Sequence, residues 1–258
     1  MIHLKSVQLQ ISQKDSGNYP YNLPILTNLE KLEFTKPVTI LVGENGTGKS
    51  TLLEGIAASS GSILIGGTAY EESELSRELK TKLKLVWSIK TKKGFYFRAN
   101  DFTNFISRLK EVKRDSRKMI EEIKESGRNR REVMPYARTL YDLERLYGEG
   151  LEVRSHGESF LDLFQARLQP NGLYLLDEPE APLSPIKQLT LISIMKEMVD
   201  ENCQFIIATH SPILMAFPEA EILLIEDGVI RKADYDELEH VKITKDFLNE
   251  PERFLKHL

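Results

Sequence analysis

The chain has 258 residues, of which 41% are hydrophobic and 29% charged, a balance typical of a globular protein and too apolar for a disordered one. The 35 basic and 39 acidic side chains give a net charge of −4, which excludes a uniformly basic surface but not a local basic patch. The single cysteine, Cys203, excludes a disulfide framework and a multi-cysteine zinc site, and we expect a cytoplasmic protein.

The first predicted element is an extended segment over residues 2–11, in which the apolar phase shifts between Leu4 and Val7, as a β-bulge would cause. This segment lacks the apolar run of a signal peptide. No part of the chain approaches the ~20 apolar residues that span a bilayer, so we expect no integral membrane segment. A turn-rich loop is predicted over residues 15–24.

Strands and helices then alternate. A β-branched run over residues 38–42 predicts a strand buried on both faces, and a helix is predicted from Lys49 to Ala58. Further strands are predicted over residues 62–65, 83–89, 173–176, 204–208 and 222–225. This alternation is typical of a parallel α/β sheet.

Between these strands lies a helical region. From Phe102, apolar residues recur every three or four positions, which predicts an amphipathic helix that breaks near Gly127. A second helix is predicted over residues 136–147. We therefore expect one domain over residues 1–258, with a small helical subdomain inserted over about 101–160.

The sequence GENGTGKS at residues 43–50 has the spacing of a phosphate-binding loop. Glycines allow a tight turn whose backbone N–H groups face the phosphates, and the following helix adds partial positive charge. Lys49 is expected to reach the β- and γ-phosphates, and the Ser50 hydroxyl to ligate Mg²⁺. The predicted ATP-binding residues are Gly43, Glu44, Asn45, Gly46, Thr47, Gly48, Lys49, Ser50 and Thr51.

Two carboxylates follow the predicted strand in LYLLDEP, at the sheet edge where open α/β sheets bind ligands. Asp177 can hold Mg²⁺, directly or through water, and Glu178 can accept a proton from an attacking water. By themselves, the two residues could equally be a solvated end of a strand. Their occurrence beside a phosphate loop favours the catalytic interpretation.

These segments, with ATHSP at residues 208–212 and SHGES at 155–159, resemble the Walker A, Walker B, switch-histidine and signature motifs of ABC-type ATPases. Together with NYPYNLPIL and FRAND, they are similar to a group of small bacterial predicted ATPases. The resemblance covers almost the whole chain and places it beside the SMC/RecF-like ATPases rather than the transporters. It implies a P-loop NTPase fold of the ABC ATPase-head type, with a mixed, mainly parallel sheet.

The resemblance also implies a dimer in which each ATP lies between the phosphate loop of one subunit and the signature of the other. The signature residues Ser155, Gly157 and Glu158 would act from the second subunit, with Ser155 and Gly157 contacting the γ-phosphate. His210 would contact the γ-phosphate within its own subunit. Taken alone, a Ser-x-Gly helix start is usually only a helix cap, and a histidine after a strand often caps a carbonyl.

The chain departs from the transporter pattern at several positions. His156 replaces the usual second signature residue, and EAPLSP replaces the usual segment after the Walker B motif. FRAND stands where transporters carry a glutamine, so Asn100 or Arg98 could substitute for it. Two tyrosines in the loop before the Walker A motif, Tyr19 and Tyr21, are candidates for stacking on adenine, although aromatic residues in such loops are more often packing residues.

The segment over residues 105–131 has ten Arg or Lys residues and five Asp or Glu residues, a local charge of 10 − 5 = +5. Such asymmetry can mark a surface for nucleic acid or a partner protein. The alternative is a solvated helix face with i,i+4 ion pairs, and no aromatic stripe suited to base stacking is present.

The sequence therefore predicts a Mg²⁺-dependent ATPase that forms an ATP-sandwiched homodimer and acts on nucleic acid or a partner protein. The alternative is the ATP-binding subunit of a membrane transporter, for which the glutamine and an LSGGQ-type signature are missing. A regulator that barely hydrolyses ATP would be expected to lose Glu178. A P-loop kinase would leave ATHSP and SHGES unexplained.

Overall fold

The computed structural model describes residues 1–10, 17–65, 73–127, 129–147 and 156–256. The strands are β1 (Leu4–Leu9), β2 (Lys31–Glu33), β3 (Val38–Gly43), β4 (Ile63–Ile65), β5 (Leu83–Trp87), β6 (Gly94–Arg98), β7 (Leu173–Asp177), β8 (Gln204–Ala208), β9 (Glu221–Glu226) and β10 (Val229–Lys232). The α-helices are α1 (Pro24–Thr27), α2 (Lys49–Ser60), α3 (Glu74–Lys82), α4 (Ala99–Glu125), α5 (Met134–Tyr147), α6 (His156–Arg167), α7 (Pro185–Asp200), α8 (Pro212–Met215), α9 (Glu239–Asn249) and α10 (Pro251–Leu255). Short 3₁₀ turns lie at Arg130–Val133 and Tyr235–Glu237.

A seven-stranded sheet with the order β10-β9-β3-β8-β7-β6-β4 forms the centre of the fold. Its strands pair in parallel except for β10, which pairs antiparallel with β9. The predicted fold class, an α/β protein with a mixed, mainly parallel sheet, is thus confirmed. Parallel strands present their carboxyl ends at one edge, and β3, β7 and β8 are neighbours there.

The central strands are buried on both faces. Every residue of β3, β7 and β8 is buried, and their side chains alternate between two apolar clusters. On β7, for example, Leu176 belongs to one cluster and Leu175 to the other. This arrangement explains why these strands appear in the sequence as continuous apolar runs.

A second, antiparallel sheet with the order β2-β1-β5 covers one side of the phosphate-loop helix. The register of β1 against β5 shifts between Leu4 and Ser6, which confirms the bulge predicted from the apolar phase. Helix α2 contributes Leu52, Leu53 and Ile56 to the same cluster as β1, so the α2 helix packs between the two sheets.

The helical region consists of α4 and α5, which pack against each other; α4 also contacts β4 and β6 of the sheet, and α5 contacts α6. Phe102 of α4 meets Phe160 of α6 edge to face, with ring centroids 5.9 Å apart. The two predicted helices are confirmed, and α4 ends at Glu125, just before Gly127. The division into one domain with an inserted helical subdomain remains a prediction.

Most of the described basic residues over 105–131 are exposed to solvent. Of the ten basic residues over 105–131, Lys113 is only 4% exposed, and Lys118 pairs with Glu122 one turn further along α4. The predicted i,i+4 pairing is therefore present on this helix. Across the described residues, no helix is both long and apolar enough to cross a membrane.

Candidate nucleotide site

The β3–α2 loop forms a tight turn in which two glycines adopt left-handed conformations, Gly46 at φ +84° and Gly48 at φ +96°. Gly48 also lies against α1, since a Cβ there would be only 2.6 Å from Cγ2 of Ile25. Ile25 N–H in turn donates to the carbonyl of Thr47 at 3.0 Å. Only glycine fits this combination of conformation and space, which explains its place in the motif.

Lys49 is buried inside this loop. Its ammonium donates to the carbonyl oxygens of Gly43, at 2.6 Å, and Glu44, at 2.9 Å. Burial lowers the pKa of Lys49, while the charges of Asp177 and Glu178 oppose that shift. The loop thus holds a cation at its centre, where phosphate oxygens can replace the two carbonyl acceptors.

The first residue of the acidic pair lies against the start of α2. The Ser50 hydroxyl donates to Oδ1 of Asp177 at 2.9 Å, and the Tyr96 hydroxyl lies 3.4 Å from Oδ2. Burial raises the pKa of Asp177 to about 6, although the Ser50 hydrogen bond and the charge of Arg98 lower it. A carboxylate that burial removes from water is well suited to a hard cation, and oxygen ligands are those that Mg²⁺ prefers.

Glu178 is partly buried and lies at the edge of a cleft that Ser50 and Asp177 also line. Its backbone is left-handed, with φ +50°. Its N–H donates to the carbonyl of Ala208 at 2.9 Å, which ties the turn after β7 to the end of β8. A non-glycine residue in this conformation costs free energy and occurs most often where function requires the side-chain direction. Ser50, Asp177 and Glu178 all line this cleft, so the structure brings the two predicted motifs together.

The segment FRAND forms no separate loop, because Arg98 ends β6 and α4 begins at Ala99. Arg98 donates to Oε2 of Glu54 at 2.6 Å, and its Nε lies 3.9 Å from Oδ2 of Asp177. Asn100 also lines the cleft. Both candidates for the missing glutamine therefore lie at the site, and Arg98 is the one whose charge acts on Asp177.

The two candidate tyrosines differ in exposure. Tyr21 is only 1% exposed and belongs to the core beside α2, so its ring is unavailable to a nucleotide. Tyr19 is 60% exposed and lines the same cleft as Thr51. The structure thus leaves Tyr19 as the candidate for contact with adenine.

His210 follows β8, and its N–H donates to Oε1 of Glu180 at 2.7 Å. Its Nδ1 lies 3.2 Å from Nε2 of His240, on α9. Burial lowers the pKa of His210, and the positive charge of Lys49 lowers it further. The other side-chain oxygen of Glu180, Oε2, is buried without a hydrogen-bond partner among the described residues, and burial raises the pKa of this carboxyl.

Of the predicted signature residues, the described Gly157 and Glu158 do not line this cleft. Ser155 falls outside the described residues, and α6 begins at His156. A Cβ at Gly157 would be 2.8 Å from the carbonyl oxygen of Pro182, so α6 starts in tight contact with the segment before α7. Glu158 lies 3.9 Å from Lys187. Of the described residues that line the cleft, none comes from α6.

Sequence reasoning missed three polar side chains of this site: Glu54, Tyr96 and His240. Glu54 accepts from Arg98, Ser73 and Ser76. Burial works to raise the pKa of Glu54, but these hydrogen bonds and the Arg98 charge hold it below its usual value. The lone glutamate on the apolar helix α2 could have indicated the Glu54–Arg98 pair from the sequence. His240 belongs to no motif, so no feature of the sequence indicated its contact with His210.

The profile of a protein family described as "AAA domain, putative AbiEii toxin, Type IV TA system" matches residues 68–216, more than half of the chain. Among curated proteins, the cobalt import ATP-binding protein CbiO of Salmonella typhimurium is 25% identical over 216 residues, which are 81% of this chain and 74% of CbiO.

Solved structures show the same fold. CbiO1 of Clostridium perfringens, part of the ABC transporter complex cbiONQ, superposes with a TM-score of 0.50 at 16% identity, over 100% of both chains. The Smc head domain of Pyrococcus furiosus, in complex with the C-terminal domain of ScpA, superposes with a TM-score of 0.50 at 15% identity, over 96% of this chain and 100% of that one. The ABC ATPase-head architecture is therefore common to this chain, a transporter subunit and an Smc head.

Proposed function

Because the chain belongs to the matched AAA-domain family and is an ABC-type ATPase, we propose that it hydrolyses ATP with Mg²⁺ in the cleft described above. The observation that carries this proposal is the contact between Ser50 and Asp177, at 2.9 Å. It joins the phosphate loop to the end of β7, beside the buried Lys49 and the half-exposed Glu178.

In this proposal the backbone N–H groups of Gly43–Thr51 bind the phosphates, and Lys49 exchanges its two carbonyl acceptors for β- and γ-phosphate oxygens. Ser50 and Asp177 would hold Mg²⁺, which when bound neutralises charge on the phosphates. Tyr19 would lie against adenine from the exposed loop.

Glu178 is proposed as the general base. Its side chain lies at the edge of the cleft, next to the carboxylate of Asp177, from where it can accept a proton from a water in line with the γ-phosphate. His210 would donate a hydrogen bond to the γ-phosphate from the end of the neighbouring strand, β8. The pKa of His210 is lowered by burial, which keeps the imidazole neutral near pH 7.

The proposal includes a homodimer in which Ser155, Gly157 and Glu158 complete the site of a second copy. Two features support it: none of the described cleft residues comes from α6, and apolar side chains are exposed beside Gly157. Ile186 is 76% exposed and Leu189 58% exposed, on the same turn of α7 whose Lys187 lies against Gly157. Exposed apolar side chains next to an incomplete site are suited to contact with a second subunit.

The catalytic part of the proposal is tested with Glu178→Gln, which removes the base but keeps the shape of the side chain. Turnover should fall by ~10²–10⁴-fold while ATP still binds, because general-base catalysis contributes about that factor. Turnover is measured as phosphate release with and without Mg²⁺, and binding as titration with ATP. Hydrolysis by this variant at the wild-type rate would refute the role of Glu178.

The dimer is tested by light scattering on Glu178→Gln at micromolar concentration, with and without Mg-ATP. The mass should double with nucleotide, because unhydrolysed ATP would hold the two subunits together. Ile186→Glu in the same background should stay monomeric and still bind ATP, since its side chain lies outside the cleft. A monomer in the presence of saturating ATP would contradict the ATP-sandwiched dimer.

For the partner, we propose nucleic acid or a protein bound through the segment over residues 105–131, in a role such as DNA maintenance or defence. The exposed cations of α4, which include Lys110, Arg114 and Arg117, support this proposal. The alternative, an ATP-binding subunit of a membrane transporter, is supported by the likeness to CbiO. Duplex DNA bound with a steep salt dependence supports the first. Copurification with a membrane protein, with no DNA bound, supports the second.

A further inference from the structure

One contact that no motif of the chain explains joins two histidines near the nucleotide cleft. Nδ1 of His210 lies 3.2 Å from Nε2 of His240, and the ring centroids are 5.3 Å apart. The opposite nitrogen of His210, Nε2, is buried and has no hydrogen-bond partner among the described residues. One nitrogen of the His210 ring is thus engaged by helix α9, and the other is buried without an acceptor among the described residues.

His240 is held in place by its neighbours on both sides. Leu238 is fully buried and Val241 is 1% exposed, and both belong to the core cluster beneath the sheet. Its own carbonyl accepts a hydrogen bond from the Thr244 hydroxyl at 2.7 Å. Since two anchored residues flank it, His240 presents its ring to His210 from a fixed backbone position.

The contact limits how the two rings can share a proton. Burial lowers the pKa of His210, as does the charge of Lys49, while Glu178 and Glu44 oppose this shift. Two imidazole nitrogens 3.2 Å apart form a hydrogen bond only when one carries a proton and the other a lone pair, so one ring donates and the other accepts.

The direction of that hydrogen bond decides what His210 can do. If His210 Nδ1 donates, its Nε2 carries a lone pair, which a phosphate oxygen would repel. If His240 Nε2 donates, His210 Nε2 carries the proton and can donate to an anionic oxygen.

We propose that His240 is a positioning residue that donates from Nε2 to Nδ1 of His210 and so holds His210 in the tautomer with a proton on Nε2. The inference rests on the proposed contact of His210 with the γ-phosphate. It assigns to helix α9 a part in the ATPase site that the motifs of the chain do not indicate.

Three variants at position 240 separate donation from packing. His240→Gln places an amide N–H close to the position of the imidazole Nε2–H, so its kcat should stay within about twofold of the wild type. His240→Leu removes the donor, and kcat should fall roughly tenfold at unchanged KM, the usual effect of one lost hydrogen bond. His240→Glu accepts instead of donating and should lower kcat at least as far. Lys242→Ala, at an exposed position on the same helix, is the matched control and should keep the wild-type kcat.

The tautomer is measured directly by ¹⁵N–¹H NMR of the histidine side chains, with His210 assigned by its loss in His210→Gln. The spectra are recorded on Glu178→Gln with Mg-ATP, so that the reading is independent of turnover. We expect Nε2–H on His210 with His240 or Gln at position 240, and Nδ1–H with Glu.

An Nδ1–H tautomer of His210 in the parent protein, or equal kcat in the Gln, Leu and Glu variants, would overturn the inference. Failure of the proposed function gives a different result. In that case the wild type would not hydrolyse ATP, whereas the dependence of the His210 tautomer on residue 240 would still be visible in the spectra.

Discussion

The nucleotide cleft and the arm formed by α4 and α5 both carry many charges, but they hold them differently. At the cleft, Arg98 and Glu54 form an ion pair at 2.6 Å with side chains 28% and 15% exposed. On the arm, Lys118 and Glu122 lie 3.6 Å apart with side chains 73% and 53% exposed. Charges in the cleft are removed from water and depend on one another, whereas those on the arm are solvated. Equivalent substitutions should therefore have very different effects in the two regions.

The largest difference is expected between two lysines. Lys49→Ala removes a buried ammonium that makes two short hydrogen bonds in the phosphate loop, and ATP affinity should fall at least ~100-fold, because hydrogen bonds to charged groups contribute about 1.5–3 kcal/mol each. Lys118→Ala on the arm should leave the affinity unchanged. Both are measured by calorimetric titration with Mg-ATP. Undiminished affinity in Lys49→Ala would contradict the assignment of the phosphate loop.

Two glycines with positive φ provide a second contrast. Gly48→Ala forces alanine into a left-handed conformation and places its Cβ 2.6 Å from Ile25, so the free energy of unfolding should fall by about 3 kcal/mol. At Gly127, which follows α4, φ is +65° but no atom of the described residues beyond its chain neighbours lies within 4 Å of the position that a Cβ would take, and Gly127→Ala should cost about 1 kcal/mol. Urea denaturation measures both, and equal losses would show that the contact with Ile25 is readily relieved.

A third contrast compares the Arg98–Glu54 pair of the cleft with the Lys118–Glu122 pair of the arm by double-mutant cycles. Arg98→Leu leaves Glu54 and Asp177 without their common cation, and the free energy of unfolding should fall by about 2 kcal/mol. The coupling between Lys118 and Glu122 should be ~0.5 kcal/mol or less. Chemical denaturation at low and high salt distinguishes them, since only the exposed pair is screened by salt. A coupling on the arm as strong as the one in the cleft would remove the contrast.

The smallest effect on stability is expected for three exposed cations of α4. Replacing Lys110, Arg114 and Arg117 together with glutamine should change the free energy of unfolding by only ~0.5 kcal/mol, because these side chains lie in water. ATP hydrolysis should be unaffected. If the arm binds nucleic acid, the slope of binding against salt should decrease by about one per lost phosphate contact. Lost hydrolysis in this variant would link the arm to the cleft.

The features that the sequence predicted well are local ones. The strand, loop and helix over residues 38–60 follow from a buried β-branched run, from glycines at positions that need positive φ, and from a helix whose first residue is Lys49. The bulge in β1 could be predicted for the same reason, because a change of apolar phase is visible within six residues. The antiparallel edge strand β10 and the helices α3, α9 and α10 carry weaker patterns and were not predicted.

Contacts between distant elements could not be predicted in this way. Both tyrosines before the phosphate loop were equal candidates for adenine, and only packing against α2 separates the buried Tyr21 from the exposed Tyr19. In the sequence, Lys113 is one of ten basic residues in a segment that could be a solvated helix face. In the structure, its side chain is buried. Both outcomes depend on which neighbour covers a side chain, and the neighbour is supplied by another part of the fold.

The sequence by itself determined the kind of chemistry, because a phosphate loop and a strand ending in two carboxylates are each made from adjacent residues whose backbone geometry is set locally. Only the tertiary structure decided how the pieces meet. It brings Ser50 within 2.9 Å of Asp177, 127 positions away in the chain, and it sets His240 against His210. Such contacts follow from the packing of whole strands and helices around a common core, which no short motif encodes.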